Sequence, residues 1–262
     1  MPADSVTLPD DVIDLARHAQ WITVFSGAGM SAESGVPTFR DAQTGLWERF
    51  DPAALATVGA WDDDPALVWG WYLWRMKLVG DAQPNPGHRA IAGLADHRTV
   101  MVVTQNVDDL HERAGSEVIS HLHGSLFEPR CSVCAAPYHG TGTRLPAGFD
   151  IASYTEPPRI DPPACHECLS PVRPGVVWFG EPLPRDAWQR AEHTIAGSEL
   201  VLVVGTSGIV YPAAELPERA LANGTPVIEF NIDESALSPY VTLSVRTSAA
   251  VGLPALLDAV RG

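Results

Sequence analysis

The chain has 262 residues, 45% of them hydrophobic, and a formal net charge of −15 at pH 7. This length and composition suit a single sizeable core, or one large domain that carries a small one. The negative charge argues against general binding of nucleic acids or anionic membranes, because affinity for polyanions comes largely from Lys and Arg. It favours a basic protein as partner.

The N-terminal segment is acidic and lacks the basic start and apolar run of a signal peptide, or the arginines of a transit peptide. Nowhere does the sequence approach the roughly 18 consecutive apolar residues of a membrane span. We therefore expect a cytoplasmic protein. Residues 10–19 place acidic residues first and apolar ones at helical spacing, which predicts a short helix before the first strand.

The segment that follows combines a strand, a glycine turn and a helix start. Residues 22–25 form an apolar, β-branched run, and Gly27, Ala28 and Gly29 come directly after it. Glycines in such a turn let the backbone approach a pyrophosphate, whose charge is stabilised by free N–H groups at a helix N-terminus. Because the full G-x-G-x-x-G spacing is missing, an ordinary strand-to-helix turn is the alternative.

Beyond this turn, Ser31, Gly35 and Pro37 prevent a long regular helix, so Phe39 and Arg40 are predicted on a loop. An aromatic face and a guanidinium beside a phosphate site suit a charged ligand with a ring. The Gly- and Pro-containing stretch after Arg40 begins as a loop and continues as short helical pieces. Such a segment can form a lid.

Residues 65–79 begin with proline and carry apolar residues on most faces, which predicts a largely buried helix. Tyr72 and Arg75 are three apart and therefore project from one face of this helix. One interpretation is a core helix with a single Arg that reaches the surface. The other is a clamp in which the guanidinium and the phenol hydroxyl bind a carboxylate.

A second buried strand is predicted at residues 99–104, followed by Gln105, Asn106 and Asp108. Ligands bind outside the carboxyl ends of parallel strands, so these polar side chains are candidate site residues by position. Asp108 or Asp109 could instead cap the helix that Gly115 ends. Capping does not account for the two amides.

A third strand delivers His121 and His123, which lie two apart and therefore share a face. One interpretation is metal binding by the pair. The other is a single general base with a structural neighbour.

All four cysteines occur as two C-x-x-C pairs separated by thirty residues: Cys131, Cys134, Cys165 and Cys168. Each pair places two thiolates on one side of a metal, so the spacing predicts a structural zinc ribbon. Disulfides are the alternative, and ligation by three cysteines and His166 is another. The intervening Gly- and Pro-rich residues bury little, so the metal would order this small domain. The ribbon lacks the dense basic patch of a nucleic-acid binder.

The chain then returns to the main domain through residues 176–179, a predicted strand that Gly180 ends. Its edge could pair with an extended peptide, or it could be a simple buried strand. Two later strands end in small or polar groups suited to phosphate or ribose, namely Gly205, Thr206 and Ser207 after the first, and Asn231 and Asp233 after the second.

Alternating strands and helices predict a Rossmann-like, doubly wound parallel α/β sheet. The predicted division is a NAD-binding domain at 1–127 and 172–262 with an inserted zinc ribbon at 128–171. The segment 41–80 contributes to the small lobe.

Several motifs of the chain resemble, in the same order, those of the sirtuins, the NAD-dependent protein-lysine deacylases. These motifs are GAGMSAESGVPTFR, TQNVDDLHERAG, HLHGS, the two cysteine pairs and VWFG. The likeness runs from about residue 13 to 260. It implies that His123 is the general base, that Asn106 and Asp108 contact nicotinamide, and that Val177, Trp178, Phe179 and Gly180 bind an acyl-lysine peptide. It implies NAD as co-substrate and one structural zinc ion.

The resemblance also implies the chemistry and the acyl preference. The products would be nicotinamide, deacylated lysine and O-acyl-ADP-ribose. Tyr72 and Arg75 match the Y-x-x-R pattern of the sirtuins that remove succinyl, malonyl and glutaryl groups, and Ala56, on a helical piece, matches a position where a small residue leaves room for them. Acetyl-lysine would be a poorer substrate. Mono-ADP-ribosyl transfer and NAD-responsive binding without catalysis are the alternatives.

Overall fold

The computed structural model describes residues 6–37, 51–145, 149 and 158–262. Phe39 and Arg40, which the sequence analysis assigned to the cofactor, lie outside the described residues. The strands are β1 Trp21–Ser26, β2 Thr99–Thr104, β3 Val118–His121, β4 Gly124–Cys131, β5 Val172–Val176, β6 Leu200–Val204, β7 Val227–Asn231 and β8 Leu243–Arg246. The helices are α1 Asp10–His18, α2 Gly29–Ala32, α3 Pro52–Leu55, α4 Val58–Asp63, α5 Pro65–Asp81, α6 Pro86–Leu94, α7 Leu110–Ala114, α8 Arg185–Ala196, α9 Glu215–Ala222 and α10 Ala249–Arg261.

Six strands form one parallel sheet in the order β3-β2-β1-β6-β7-β8. Its central strands are continuous apolar runs because both faces of the sheet are covered by helices. On one face, α1, α6 and α10 pack their buried side chains against β1, β2, β6 and β7. On the other face α8 packs on β3, and α9 packs on β6 and β7. The predicted doubly wound α/β fold is therefore confirmed.

Two buried histidines, one on α6 and one on α7, pack edge to face with their ring centroids 4.9 Å apart. His88 follows the Asn85 cap of α6, and its Nδ1 accepts a hydrogen bond from the Asn85 N–H at 3.3 Å. His111, on α7, lies 2.9 Å from Ser26 Oγ through its Nε2. Burial lowers the pKa of His88 to about 4, helped by the charge of Arg89. Burial and the charges of His88 and His121 also hold the pKa of His111 well below its ordinary value.

Both histidines are therefore neutral in the fold, and acid should destabilise it. The unfolded chain takes up protons near the ordinary histidine pKa of 6.5, whereas folded His88 resists protonation to about pH 4. The stabilisation is complete above pH 7 and is lost as the pH falls through 6.5, at about 1.4 kcal/mol per pH unit for each histidine. Denaturant unfolding at pH 7.5 and 5.5 measures this loss.

A matched pair of variants isolates the histidines from other acid effects. His111→Gln removes one of the two titrating groups and should flatten the pH dependence of the unfolding free energy. His18→Gln replaces an exposed histidine on α1 and should leave that dependence unchanged. Equal pH dependence in all three proteins would contradict the assignment.

The described chain divides into two compact units. The first comprises Met1–Gly35, Gln83–Leu122 and Pro184–Gly262, and contains the six-stranded sheet. The second comprises Val36–Ala82 and His123–Leu183. Within it, β4 and β5 form an antiparallel pair whose register runs from Gly124 opposite Val176 to Cys131 opposite Val172. The pairing of β4 with β5 is irregular between Ser125 and Arg130. The division with a zinc ribbon at 128–171 stays a prediction.

Two local predictions differ from the structure. The predicted strand at 176–179 ends at Val176, and Phe179 instead forms an isolated parallel bridge with Thr57. Ala56, predicted on a helical piece, lies in the bend between α3 and α4, where its carbonyl accepts the Phe179 N–H at 2.9 Å. In the described parts of the chain, no helix has both the length and the apolarity needed to span a membrane.

Candidate functional site

The turn after β1 packs backbone to backbone against the turn after β6. The Gly27 N–H donates to the Val204 carbonyl at 2.9 Å, and the Gly29 N–H donates to the Gly205 carbonyl at 2.8 Å. A Cβ on Gly205, whose φ is +59°, would lie 2.4 Å from the Met30 nitrogen. Close approach of two turns therefore requires these glycines. The N–H groups of Gly27 and Gly29 are engaged within the fold, whereas the prediction directed this turn's N–H groups at a pyrophosphate.

Beside this turn, Ser31 connects the two predicted nicotinamide residues. Its hydroxyl donates to Asp108 Oδ2 at 2.9 Å and accepts from Asn106 Nδ2 at 3.2 Å. Asp108 Oδ1 also accepts the Leu110 N–H, the first N–H of α7, at 3.1 Å, whereas the N-cap residue Asp109 makes no side-chain capping bond. The side chains of Ser31, Asn106 and Asp108 form what we call the Ser31 triad. All three are buried.

Asp108 is a carboxyl group in a largely water-free position. Its burial raises its pKa above the ordinary value, and the hydrogen bonds from Leu110 and Ser31 and the charge of His121 oppose that rise. Burial and specific neighbours thus act on the Asp108 pKa in opposite directions. Such a balance is common at functional sites.

A second polar chain joins the carboxyl ends of β2, β6 and β7. Gln105 Nε2 donates to Thr206 Oγ1 at 2.9 Å, and Asn231 Nδ2 donates to the Thr206 carbonyl at 2.8 Å. Ser207 lies next to Thr206 and accepts the Ala236 N–H through its carbonyl at 3.0 Å. The predicted cofactor residues of the first unit that the structure describes are therefore collected along one edge of the sheet.

A buried carboxylate holds the loop that carries Asp233 through hydrogen bonds to serines of that loop. Glu229, on β7, accepts hydrogen bonds from Ser238 at 2.6 Å and Ser244 at 2.8 Å, from Arg246 at 3.1 Å, and from Ser235. Burial alone would raise the pKa of Glu229, but these hydrogen bonds lower it. Asp233 itself is exposed at the surface of the loop.

The two histidines of the third strand have different surroundings. His121 Nδ1 lies 2.9 Å from the Asn106 carbonyl oxygen, and His121 Nε2 lies 2.6 Å from Glu112 Oε1. His123 begins the second unit, where its carbonyl accepts the Val177 N–H at 2.8 Å. Among the described residues, only the four cysteines form a group of three or more that could hold a metal ion. The metal-binding interpretation of the histidine pair is therefore not supported.

In the second unit, Tyr72 lies within a cluster of aromatic side chains. Trp178 Nε1 donates to the Tyr72 hydroxyl at 3.0 Å, and the Trp178 ring lies 5.6 Å from that of Trp61. Burial raises the pKa of Tyr72 to about 12, so the phenol keeps its proton at neutral pH. Arg75, one turn along α5, is half-buried, with its Cζ 5.0 Å from the centroid of the Trp71 ring.

The segment predicted to bind peptide uses its backbone donors within the unit. The Trp178 N–H donates to Glu181 Oε2 at 2.8 Å, while the N–H groups of Val177 and Phe179 donate to carbonyls. Arg173 stacks on Trp178 with its Cζ 3.4 Å from the ring centroid and pairs with Glu181 at 2.6 Å. Gly180 follows at a φ of +88°. The Phe179 side chain is 51% exposed.

The four cysteine sulfurs lie within 4.8 Å of one another. The shortest separations are 3.4 Å for Cys131 and Cys168, 3.6 Å for Cys134 and Cys168, and 3.7 Å for Cys134 and Cys165. Zinc–sulfur bonds of about 2.3 Å place the sulfurs of a tetrahedron about 3.8 Å apart, whereas a disulfide needs about 2.05 Å. The geometry thus fits a zinc ion and excludes the disulfide alternative.

Backbone donors around the sulfurs support the same conclusion. The N–H groups of Val133 and Cys134 point at Cys131 Sγ, and that of Glu167 points at Cys165 Sγ, each at 3.4 Å. Such donors stabilise thiolate ligands. His166 stacks on Tyr138 with ring centroids 5.0 Å apart.

Three contributors to these arrangements were missed by sequence reasoning: Glu112, Glu181 and Glu229. Glu229 had a signal, since a lone glutamate within an apolar strand must find buried partners. Glu112 and Glu181 had none, because their own surroundings are ordinary surface sequence and their bonds, to His121 for Glu112 and to Arg173 and Trp178 for Glu181, depend on how the chain folds back.

The chain is similar to named deacylases of Mycobacterium and Corynebacterium. It is 53% identical over 238 residues to the NAD-dependent protein deacylase of Mycobacterium tuberculosis, covering 90% of this chain and 96% of the relative. The NAD-dependent protein deacylase 2 of Corynebacterium efficiens is 49% identical over 252 residues, covering 94% of each chain.

Solved structures and a family profile agree with these relatives. A Sir2 homologue–NAD complex has a TM-score of 0.85 and 42% identity, covering 98% of this chain and 95% of that one. A Sir2 protein with a deacetylated p53 peptide and 3'-O-acetyl ADP-ribose has a TM-score of 0.75 and 27% identity, covering 95% of this chain and 96% of that one. Residues 27–212 match the profile of the Sir2 family. The chain therefore belongs to the Sir2 family, the sirtuins.

Proposed function

We propose that the protein is an NAD-dependent protein-lysine deacylase that releases nicotinamide and O-acyl-ADP-ribose. The observation that carries the proposal is the Ser31 triad at the carboxyl edge of the sheet. An amide and a carboxylate joined by one hydroxyl can bind a carboxamide, because the carboxylate accepts its N–H and the Asn106 amide bonds its oxygen. The names of the relatives, NAD-dependent protein deacylases, and the NAD-bound neighbour support the same function.

The edge also suits the rest of the dinucleotide. The turns at Ala28 and Ser207 offer small residues and backbone groups for phosphates, and Asn231 and Asp233 offer polar groups for a ribose. NAD, when bound, supplies a ribose carbon from which nicotinamide leaves and to which the acyl oxygen becomes attached. The protein binds the carboxamide, and water then completes the release of deacylated lysine and O-acyl-ADP-ribose. Asn106 and Asp108 position the group that departs.

His123 is the proposed general base, which accepts a proton from a ribose hydroxyl. An imidazole suits this role because its pKa lies near the working pH. The backbone on both sides of His123 is fixed, since the Leu122 N–H donates to the Thr104 carbonyl and the His123 carbonyl accepts from Val177, each at 2.8 Å.

The acyl group is proposed to be a dicarboxylic acid such as succinyl or malonyl, with acetyl as a poorer substrate. Arg75 supplies a permanent positive charge beside the Tyr72 phenol. The Tyr72 hydroxyl accepts from Trp178, which leaves its own proton to donate to a carboxylate. An aromatic surround strengthens such charge-assisted hydrogen bonds because it lowers the local dielectric.

The test uses NAD and one peptide carrying succinyl-, acetyl- or unmodified lysine, followed by nicotinamide release and peptide mass. We expect the wild type to prefer the succinyl peptide. Arg75→Met should lower succinyl kcat/KM about 100-fold, because a carboxylate without its partner is costly to bury. Acetyl removal should change by no more than about threefold.

Lys77→Met is the matched control, since Lys77 lies two residues away on α5 and pairs with exposed Asp81 at 2.6 Å. It removes a positive charge from the same helix and should leave both activities unchanged. Preference for acetyl together with no effect of Arg75→Met would show that Arg75 is structural. Label transferred from NAD to protein without acyl loss would favour an ADP-ribosyltransferase. NAD binding without nicotinamide release would favour a non-catalytic protein.

A further inference from the structure

His121 is the one histidine of the HLHG motif to which the proposed mechanism gives no role. Its ring lies between two oxygen atoms, the Asn106 carbonyl at 2.9 Å from Nδ1 and Glu112 Oε1 at 2.6 Å from Nε2. A carbonyl accepts hydrogen bonds only, and so does an ionised carboxylate. A neutral imidazole has a single N–H and can satisfy only one of them. The geometry therefore calls for an imidazolium, with both nitrogens protonated.

Of the titratable groups around the ring, the carboxylates of Glu112 and Asp108 favour this form. Glu112 and His111 face it from α7, and Asp108 faces it from the loop after β2. On α8, which packs against β3, Arg190 donates through Nε to the Ile119 carbonyl at 3.0 Å. Burial alone would lower the pKa of His121, but the hydrogen bonds with Glu112 and Asn106 and the charges of Glu112 and Asp108 raise it. The partner carboxyl, that of Glu112, has a lowered pKa. Burial would raise this pKa, but the hydrogen bond with His121 outweighs the effect of burial.

We propose that the His121 imidazolium is a positioning residue of the nicotinamide site, which fixes the Asn106 backbone and supplies the counter-charge that keeps buried Asp108 ionised. The proposal rests on the function proposed above, which places nicotinamide at Asn106 and Asp108. The His121 side chain thus acts on both Asn106 and Asp108. It touches neither substrate nor cofactor in this role.

The two effects can be separated by two substitutions. Glutamine at position 121 offers an amide N–H that can still reach the Asn106 carbonyl, but it carries no charge. Leucine offers neither the hydrogen bond nor the charge. His121→Gln therefore tests the counter-charge alone, and His121→Leu tests both.

Affinity for NAD is measured between pH 6 and 9 in a His123→Ala background, which is designed to prevent turnover and which removes the titration of that histidine. At pH 8 we expect His121→Gln to bind NAD within about twofold of its parent. His121→Leu should bind about tenfold more weakly, since a charge-assisted hydrogen bond is lost. On acidification, both variants should lose affinity at a pH about half a unit or more above that of the parent, because Asp108 protonates sooner.

A second experiment, by NMR spectroscopy, measures the protonation of His121 without NAD. In ¹⁵N-histidine-labelled protein, both His121 nitrogens should give imidazolium shifts at pH 7, and Glu112→Gln should lower the midpoint of that titration. His18→Gln is the control for both arms, because His18 Nδ1 lies 2.7 Å from a carbonyl oxygen, that of Asp14 on α1. It should change neither NAD affinity nor the His121 spectrum.

A neutral His121 at pH 7 would overturn the proposal, and so would an unchanged pH dependence of NAD affinity in both variants. Failure of the proposed function has a different signature, namely no NAD binding by the parent or no acyl removal by the wild type. In that case the spectrum still decides whether the imidazolium exists.

Discussion

Replacing Cys131 with serine is expected to abolish zinc binding and to unfold the part of the second unit around the four sulfurs. Cys131 is buried, and its sulfur lies 3.4 Å from that of Cys168 in the other C-x-x-C pair. Structural zinc sites contribute about 10–16 kcal/mol of apparent binding free energy in small metal-dependent domains. Metal analysis should give about one zinc per wild-type chain and close to none in the variant.

His166→Ala is the matched control, because His166 lies within the CHEC motif but stacks on Tyr138. It should retain the metal, and the chelator concentration that removes zinc should not change. Zinc loss in His166→Ala together with zinc retention in a Cys168→Ser variant would instead establish ligation by three cysteines and the histidine. Full zinc content in Cys131→Ser would contradict the site.

Replacing His123 with alanine is expected to lower NAD-dependent deacylation by about 10²–10⁴-fold, the usual contribution of a general base. The main-chain hydrogen bonds of the Leu122 N–H and the His123 carbonyl remain in the variant, so we expect the fold to be retained. Circular dichroism and zinc content should match the wild type. Nicotinamide release with a succinyl-lysine peptide measures the loss.

His139→Ala provides the comparison, since His139 is an exposed histidine of the same unit. Its activity should equal that of the wild type. Retention of wild-type activity in His123→Ala would remove the general-base assignment. A loss of activity accompanied by a loss of zinc or helical signal would point to a structural role for the residue.

The sheet could be predicted from the sequence because its strands are buried on both faces and therefore appear as uninterrupted apolar runs. The run predicted at 99–104 coincides with β2 Thr99–Thr104. The segment 176–179 was misleading, because Trp178 is buried by side-chain packing outside any strand and Phe179 is exposed. Trp178 is covered by Tyr72 and Trp61, and its N–H donates to Glu181. Local apolarity cannot distinguish these two kinds of burial.

The site was predictable where position along a strand sufficed. Gln105, Asn106 and Asp108 follow β2, and a parallel sheet necessarily brings the ends of neighbouring strands to one edge. The link through Ser31 was not predictable, since it joins residues 77 positions apart and depends on how α2 leaves the turn. The bond from His121 to Glu112 likewise depends on the packing of α7 and β3.

The paired glycine turns have a consequence for how this cofactor edge can change. Their separation is set by main-chain atoms, since Gly29 and Gly205 are in direct contact through a hydrogen bond of 2.8 Å and a Cβ on either would clash. Substitution of side chains therefore cannot increase the distance between the two turns in small steps. Any redesign of dinucleotide preference must work through flanking side chains such as Ser31 and Thr206, around a backbone geometry that stays fixed.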